Sequence, residues 1–191
     1  MNQNCAQAEI RVDRIGSQYL TVAGGTSVRR IAYQRRAARA GSLRPGIVWL
    51  GGIKSQMDGI KASHLDRYAA KTGRAFLRFD YSGHGLSDGV FEAGTIGMWL
   101  EECLAAIRAL TTGPQILVGS SMGGWLALLA AKSLHESGET ERLKGLILLA
   151  PAVDFTEVLL YQKMPASARA ELMQNGIWFR PGLFRFPPSL P

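Results

Sequence analysis

Apolar and polar residues alternate along the chain in a pattern that predicts strands and helices in turn. Short apolar runs bounded by glycine or proline indicate strands, and longer stretches with apolar residues three or four positions apart indicate amphipathic helices. The predicted strands are residues 9–15, 27–35, 46–50, 74–80, 115–120 and 143–150. The predicted helices are residues 59–72, 95–111 and 122–137, with Thr95 as the N-cap of the second.

This order of elements predicts an α/β fold with a mainly parallel sheet and helices on both faces. Three apolar segments, GIVWL, ILVG and LILLA, are typical of central parallel strands, which are buried on both sides. The first two strands, separated by the turn Gly24-Gly25, predict an antiparallel start to the sheet.

Composition limits the class of protein. With 191 residues, 47% of them hydrophobic and 19% charged, the chain predicts one domain with a substantial core and excludes intrinsic disorder. Two cysteines, Cys5 and Cys103, form neither a disulfide framework nor a metal quartet. No apolar run has the length of a membrane span, and the start MNQNCAQAEI resembles neither a secretory nor a transit peptide. A cytoplasmic location is therefore predicted.

The net charge of +7 is concentrated near the N-terminus, because eight arginines and only two acidic residues lie within residues 1–50. Such a basic stretch is attracted to anionic membrane surfaces or acidic partners. Tyr33 is the aromatic residue beside it, so the interleaved aromatics of a nucleic-acid surface are lacking. We interpret the stretch as a solvated basic face and expect no nucleic-acid partner.

One motif indicates chemistry. Residues 119–123, Gly-Ser-Ser-Met-Gly, match G-x-S-x-G between an apolar strand and an apolar helix. This context predicts a nucleophile elbow that lifts Ser121 above the carboxyl end of the sheet, with Gly119 and Gly123 allowing close packing. A phosphate-binding loop is the alternative, but the Lys-Ser/Thr pair of a P-loop does not follow.

Acyl transfer also needs donors for the developing oxyanion. In a strand–elbow–helix arrangement one donor is the N–H of the residue after the nucleophile, here Met122. The other comes from the loop after the third strand, here Gly51-Gly52-Ile53, and the N–H of Ile53 is the predicted donor.

Four blocks together, WLGGIKSQMDGIKA, RFDYSGHGLSDG, GTIGMWLEECLAAI and GPQILVGSSMGGWLALLAA, resemble the alpha/beta-hydrolase superfamily over about residues 10–178. Within it they are similar to the mitochondrial acyl-protein thioesterases and acyl-glucuronide esterases and their bacterial relatives. The resemblance implies an alpha/beta-hydrolase fold and a serine hydrolase that cleaves carboxylic ester or thioester bonds of small-molecule or acyl-protein substrates. It implies an acyl-enzyme on Ser121, oxyanion donors at Ile53 and Met122, and no metal or organic cofactor.

The resemblance also identifies a loop motif and divides the chain into three segments. Asp80, Gly83, Gly85 and Ser87 match the family's D-x-x-G-x-G-x-S loop, which shapes the site without attacking the substrate. Residues 1–154 correspond to the core, 155–178 to the start of a cap region, and 179–191 to an irregular tail.

No histidine stands where this family places its general base, near the end of the fold. His135 lies about 21 Å from Ser121 along the same helix, too far to take its proton. His64 is predicted to be an ordinary helix residue, and Asp154 a loop or cap residue rather than the acid. His84 is the least implausible substitute, on a loop at the same sheet edge as Ser121. The strand before this loop is expected two places from the nucleophile strand, about 10 Å across the sheet.

The last residues, FRPGLFRFPPSLP, show neither strand nor helix periodicity. They predict a truncated or frame-shifted chain that lacks the last two strands, the catalytic acid and the catalytic histidine. The alternative function is then a catalytically impaired fragment that acts as a binding or interaction module. The strand 143–150 would have an open edge, which predicts edge-to-edge self-association.

Overall fold

Seven strands and four α-helices make up the part of the chain that the computed structural model describes, residues 10–12, 18–24 and 27–176. The strands are β1 Ile10–Val12, β2 Gln18–Gly24, β3 Ser27–Arg36, β4 Gly46–Leu50, β5 Phe76–Phe79, β6 Gln115–Ser120 and β7 Leu143–Leu149. The helices are α1 Ile60–Thr72, α2 Ile96–Leu110, α3 Met122–Glu136 and α4 Ala166–Asn175.

All these strands lie in one sheet in the order β1-β2-β3-β5-β4-β6-β7. The neighbours among β5, β4, β6 and β7 pair in parallel, and the pairs β1–β2, β2–β3 and β3–β5 are antiparallel. Leu50 is level with Gly119, and Ser120 is level with Leu149. The loops that follow β4, β6 and β7 therefore leave the sheet at the same edge.

The two faces of the parallel strands carry different helices. On one face, α1 packs on a buried cluster formed by Ile47, Trp49, Ala62, Ala69, Phe76 and Val118. The alternate residues Val48, Leu50 and Leu117 point to the opposite face and are also buried. Helices α2 and α3 contact each other, and α3 contacts β4, β6 and β7. The predicted α/β fold is confirmed.

The predicted helix ends agree with the structure to within about one residue. The Thr95 side chain accepts a hydrogen bond from the Met98 N–H at 3.1 Å and caps α2 as predicted. Helix α1 ends at Gly73, whose φ of 68° is the left-handed conformation that glycine adopts without a Cβ clash. The predicted strands 46–50 and 115–120 are β4 and β6 without a shift.

Strand β2 was not predicted. It pairs with β3 as a hairpin from Gln18 opposite Tyr33 to Gly24 opposite Ser27. The feature that could have predicted β2 is the alternation of apolar Leu20 and Val22, which are buried, with neighbours that are less buried. Of the predicted strand 9–15, the structure describes β1 alone, and the Gly25 half of the predicted turn also lies outside the described residues.

The chain divides into two compact units, Met1–Val153 and Asp154–Pro191. The first holds the sheet with α1, α2 and α3; the second holds a π-helix at Thr156–Tyr161 followed by α4. The assignment of 155–178 to a cap remains a prediction, and the predicted tail 179–191 lies outside the described residues. No described helix combines the length and apolarity that crossing a bilayer requires.

Strand β7 forms one edge of the sheet in the described part of the chain. Its side chains Ile147 and Leu149 are 49% and 39% exposed, so the edge is apolar as well as open.

We expect the 191-residue chain to associate increasingly with concentration, because such an edge pairs with other strands. Ile147→Lys should reduce the association, and Val28→Lys, on a strand paired within the sheet, should not. Size-exclusion chromatography over a concentration series measures this; a monomer at all concentrations would contradict it.

Candidate active site

Ser121 occupies a strained turn between the last residue of β6 and the first residue of α3. Its backbone has φ 54° and ψ −120°, a conformation that costs a non-glycine residue on the order of 1–3 kcal/mol. Hydrogen bonds hold it there: the Ser121 N–H donates to the Leu149 carbonyl at 3.0 Å, and the Ser121 carbonyl accepts from the Ala152 N–H at 3.1 Å. The side chain is half-buried. The turn predicted as an elbow therefore has a strained backbone that two hydrogen bonds hold in place.

The glycines of the motif are required by close backbone contacts. A Cβ on Gly119 would overlap the backbone of Gly123, and a Cβ on Gly123 would overlap the carbonyl oxygens of Leu50 and Gly51. These neighbours are backbone atoms of other elements, which cannot turn away as a flexible side chain can. The two glycines thus let β6, α3 and the end of β4 approach one another at Ser121.

The loop after β4 lies directly against Ser121. A Cβ built on Gly52 would stand 3.3 Å from the Ser121 Cβ, in contact with it. Within the described residues, the N–H groups of Ile53 and Met122 donate to no acceptor. Met122 also begins α3, where helix N–H groups lack intrahelical partners and favour negative charge. The loop and the helix start therefore hold two uncommitted donors near the serine.

Asp80 connects the loop after β4 to the loop after β5. Its carboxylate accepts hydrogen bonds from the Met57 N–H at 2.7 Å and the Leu86 N–H at 2.9 Å, and the residue is 2% exposed. Burial raises the pKa of this carboxyl above its usual range, against the lowering effect of the two N–H donors. Asp80 therefore fixes both loops at the edge of the sheet where Ser121 stands.

The other residues of the matched loop have equally local roles. Gly83 and Gly85 have φ values of 73° and 46°, and a Cβ on Gly85 would overlap the Asp80 carboxylate. The Ser87 hydroxyl donates to the Asp80 carbonyl at 2.6 Å and accepts from the Ala32 N–H at 2.8 Å. The motif is thus a set of turn and hydrogen-bonding positions around Asp80.

A buried ion pair beneath this loop was missed. The Glu102 carboxylate is fully buried, accepts from the N–H and hydroxyl of Ser82 at 2.9 and 2.7 Å, and pairs with Arg29 at 2.9 Å. Burial is the largest cause of its raised pKa. A signal existed: Glu102 lies on the buried face of α2, three positions after Trp99 and next to Cys103. A carboxylate at such a position indicates a buried partner.

His84 lies among aromatic rings. Its Nδ1 is 3.2 Å from the Ser82 carbonyl, and its ring makes edge contacts with Tyr81, Phe91 and Trp99. Its other nitrogen, Nε2, is buried without a hydrogen-bond partner. Burial lowers the pKa of His84 below its usual range.

The other two histidines lie on α1 and at the end of α3. His64 is exposed on α1, and the His135 Nδ1 lies 3.2 Å from the Thr140 hydroxyl at the end of α3. Asp154 stands in the loop after β7 with φ 52°. Within the described residues Ser121 has no side-chain hydrogen bond to any histidine. In the described part of the chain the structure therefore brings Ser121 close to the uncommitted N–H groups, and no histidine hydrogen bonds to it.

The lowered pKa of His84 predicts a pH dependence of stability. Below about pH 6.5 the unfolded chain protonates this histidine before the folded chain does, so stability falls on acidification. Asp80 and Glu102 act in the opposite direction, because their raised pKa values let the folded chain gain protons first. When the pH is lowered from 7.5 to 5.5, we expect the free energy of unfolding to fall less in the His84→Gln variant than in the unsubstituted chain. Urea unfolding at both pH values measures this, and equal losses would contradict it.

Comparison with known proteins places this geometry in a family. A model described as the alpha/beta hydrolase family matches residues 21–191. The solved structure of a putative hydrolase from Agrobacterium vitis S4 superposes with a TM-score of 0.77 at 42% identity, covering 89% of this chain and 62% of that one. The structure of mouse alpha/beta hydrolase domain-containing protein 10 gives a TM-score of 0.71 at 34% identity, covering 93% and 62%.

A protein of Mus musculus named palmitoyl-protein thioesterase ABHD10, mitochondrial, is 39% identical over 165 residues. The match covers 83% of this chain and 52% of that protein, so the chain spans about half the length of the curated relatives it matches. The predicted cytoplasmic location is wrong by this comparison, since these relatives are named as mitochondrial. That prediction rested on the composition of the first residues, MNQNCAQAEI.

Proposed function

This chain belongs to the alpha/beta hydrolase family, and from that premise we propose that Ser121 is the nucleophile of a serine hydrolase. It would cleave carboxylic ester or thioester bonds through an acyl-enzyme. The observation that carries the proposal is the backbone of Ser121, held at φ 54° directly against the Gly51–Ile53 loop. A strained non-glycine residue at the edge of a sheet, beside two uncommitted N–H groups, is typical of an acyl-transfer site.

The proposed reaction has two steps. The Ser121 oxygen attacks the acyl carbon, the bond from that carbon to sulfur or oxygen breaks, and the proton of the serine hydroxyl passes to the leaving thiol or alcohol. Water then attacks the acyl-enzyme, releases the carboxylic acid and restores the serine hydroxyl. In each step the N–H groups of Ile53 and Met122 would donate to the carbonyl oxygen as it becomes negative, worth about 3–4 kcal/mol per donor.

The substrate proposal takes its chemistry from the relatives. The mouse relative is named a palmitoyl-protein thioesterase, and we infer that a thioester between an acyl chain and a protein cysteine is the first substrate class to test. Small-molecule esters are the second. An open site suits both: Ile53 is 42% exposed beside the half-buried Ser121, so a carbonyl carried on a large partner can approach from solvent.

A second candidate function is a binding module with little catalysis. The observation that favours it is the position of the three histidines, none of which hydrogen bonds Ser121 in the described part of the chain. Without a base the serine hydroxyl keeps its proton, and the site would hold an acyl group or its carboxylate rather than transfer it.

A fluorophosphonate probe separates the two candidates. Under the hydrolase proposal, prolonged incubation should phosphonylate Ser121 faster than an ordinary serine such as Ser63, because the oxyanion donors stabilise the adduct even without a histidine. Ser121→Ala should abolish labelling, and the matched control Ser120→Ala should keep most of it. Mass spectrometry of the labelled peptide identifies the serine. Absence of labelling, or equal labelling of Ser121→Ala, would support the binding module instead.

A further inference from the structure

A cleft lies at the opposite edge of the sheet from Ser121. Its volume is about 580 Å³, within the range of small-molecule sites. The first residues of three parallel strands, Gly46, Phe76 and Gln115, form its floor. Since β6 separates the cleft from Ser121, the two sites are about 20 Å apart.

One wall of the cleft is held in place by a buried amide. Gln115 is 1% exposed, and its Nε2 donates to the carbonyls of Thr112 and Gly113 at 2.8 and 3.0 Å. The Gly46 N–H donates to the Pro114 carbonyl at 3.0 Å and joins this wall to β4. The cleft is therefore a feature of the fold and not a gap between loose side chains.

The charge of the lining has one sign. Arg35, Arg36 and Arg44 line the cleft, and no acidic residue does so among the described residues. Arg36 is committed to Asp66 through two hydrogen bonds at 2.8 and 3.1 Å. The guanidinium groups of Arg35 and Arg44 make no hydrogen bond or ion pair within the described residues. By contrast, Arg30, Arg78 and Arg108 all have carboxylate partners.

The cleft also has an apolar component. Leu43, beside Arg44 on the rim, is 98% exposed, more than any other large apolar side chain described. Leu110 lies in the lining and is 7% exposed. Leu43 lines the same cleft as Arg35 and Arg44, and a bound apolar group would cover its exposed side chain.

From these features we propose that the cleft binds a soluble amphipathic anion: a carboxylate or phosphate that carries a short apolar chain. Arg35 and Arg44 bind the anionic group, as guanidinium groups do with geometric fit, and Leu43 packs on the apolar part. Arg35 and Arg44 belong to the basic stretch within residues 1–50, so the proposal assigns a ligand to part of that stretch. The site is independent of Ser121 and does not rest on the proposed hydrolase activity.

Calorimetry with decanoate below its micellar concentration tests the proposal on the full chain. Decanoate should bind, whereas acetate, which lacks the apolar chain, and decyltrimethylammonium, which has the opposite charge, should bind much more weakly. The pair Arg35→Gln with Arg44→Gln should weaken decanoate binding by roughly tenfold or more. The control pair Arg67→Gln with Arg169→Gln removes the same charge from exposed positions outside the cleft and should leave binding unchanged.

A third variant, Leu43→Ser, should weaken decanoate binding while leaving the fold intact, since the side chain is exposed. Equal affinity in the cleft pair and the control pair would overturn the proposal, as would equal binding of decyltrimethylammonium. Flotation with phosphatidylglycerol vesicles addresses the other source of such chemistry: vesicle binding without decanoate binding would assign the arginines to a membrane surface and reject the cleft.

Discussion

Replacing Gly123 by alanine is expected to cost at least about 3 kcal/mol of unfolding free energy, a large part of a domain's total stability. The added Cβ would overlap the carbonyl oxygens of Leu50 and Gly51, both backbone atoms at the end of β4. Relief requires α3 to move away from β4. That movement would open the core under the elbow and separate Ser121 from the loop that carries Ile53.

The matched control is Gly145→Ala. Gly145 lies in β7, and a Cβ built there meets no atom within 4 Å. Alanine should change the stability by less than about 0.5 kcal/mol, or increase it by restricting the unfolded chain. Urea unfolding followed by circular dichroism compares both variants with the parent chain. Similar midpoints for Gly123→Ala and Gly145→Ala would show that the contact at the elbow can relax.

The elements around the elbow could be predicted because their signals are local. Strands β4 and β6 are continuous apolar runs that end at glycines or at the serine turn, and α3 begins in the next residue. Thr95 was predictable as a cap because its side chain bonds a residue three positions away. The G-x-S-x-G spacing likewise carries its backbone requirement within five residues.

The connections that hold the site together could not be predicted, because their partners are distant in sequence. Asp80 bonds Met57, and Glu102 bonds Ser82 and Arg29, so each contact depends on the order of strands in the sheet. The antiparallel pairing of β3 with β5 also brings Ala32 to Ser87. A carboxylate at such a position indicates that a hydrogen-bond or ion-pair partner exists, and the order of the strands determines which residue that partner is.

The second large effect concerns turnover. We expect the 191-residue chain to hydrolyse a p-nitrophenyl ester roughly 10⁶-fold more slowly, in kcat, than the mouse palmitoyl-protein thioesterase relative. The reason is that none of His64, His84 and His135 hydrogen bonds to Ser121 within the described residues. Triad members act as a unit, so a serine without its base loses most of the rate, and oxyanion donors alone retain a small remainder.

Two variants test the origin of the residual hydrolysis rate. Ser121→Ala should remove it, since in the proposed mechanism the N–H groups of Ile53 and Met122 act on an adduct at that serine. His84→Gln should leave it unchanged, because this ring is buried against Tyr81, Phe91 and Trp99 with its Nδ1 at the Ser82 carbonyl. Rates from a continuous assay at pH 7.5 give both comparisons. Fast turnover that His84→Gln abolishes would identify His84 as the base, and would require the loop held by Asp80 to rearrange toward Ser121 before the reaction.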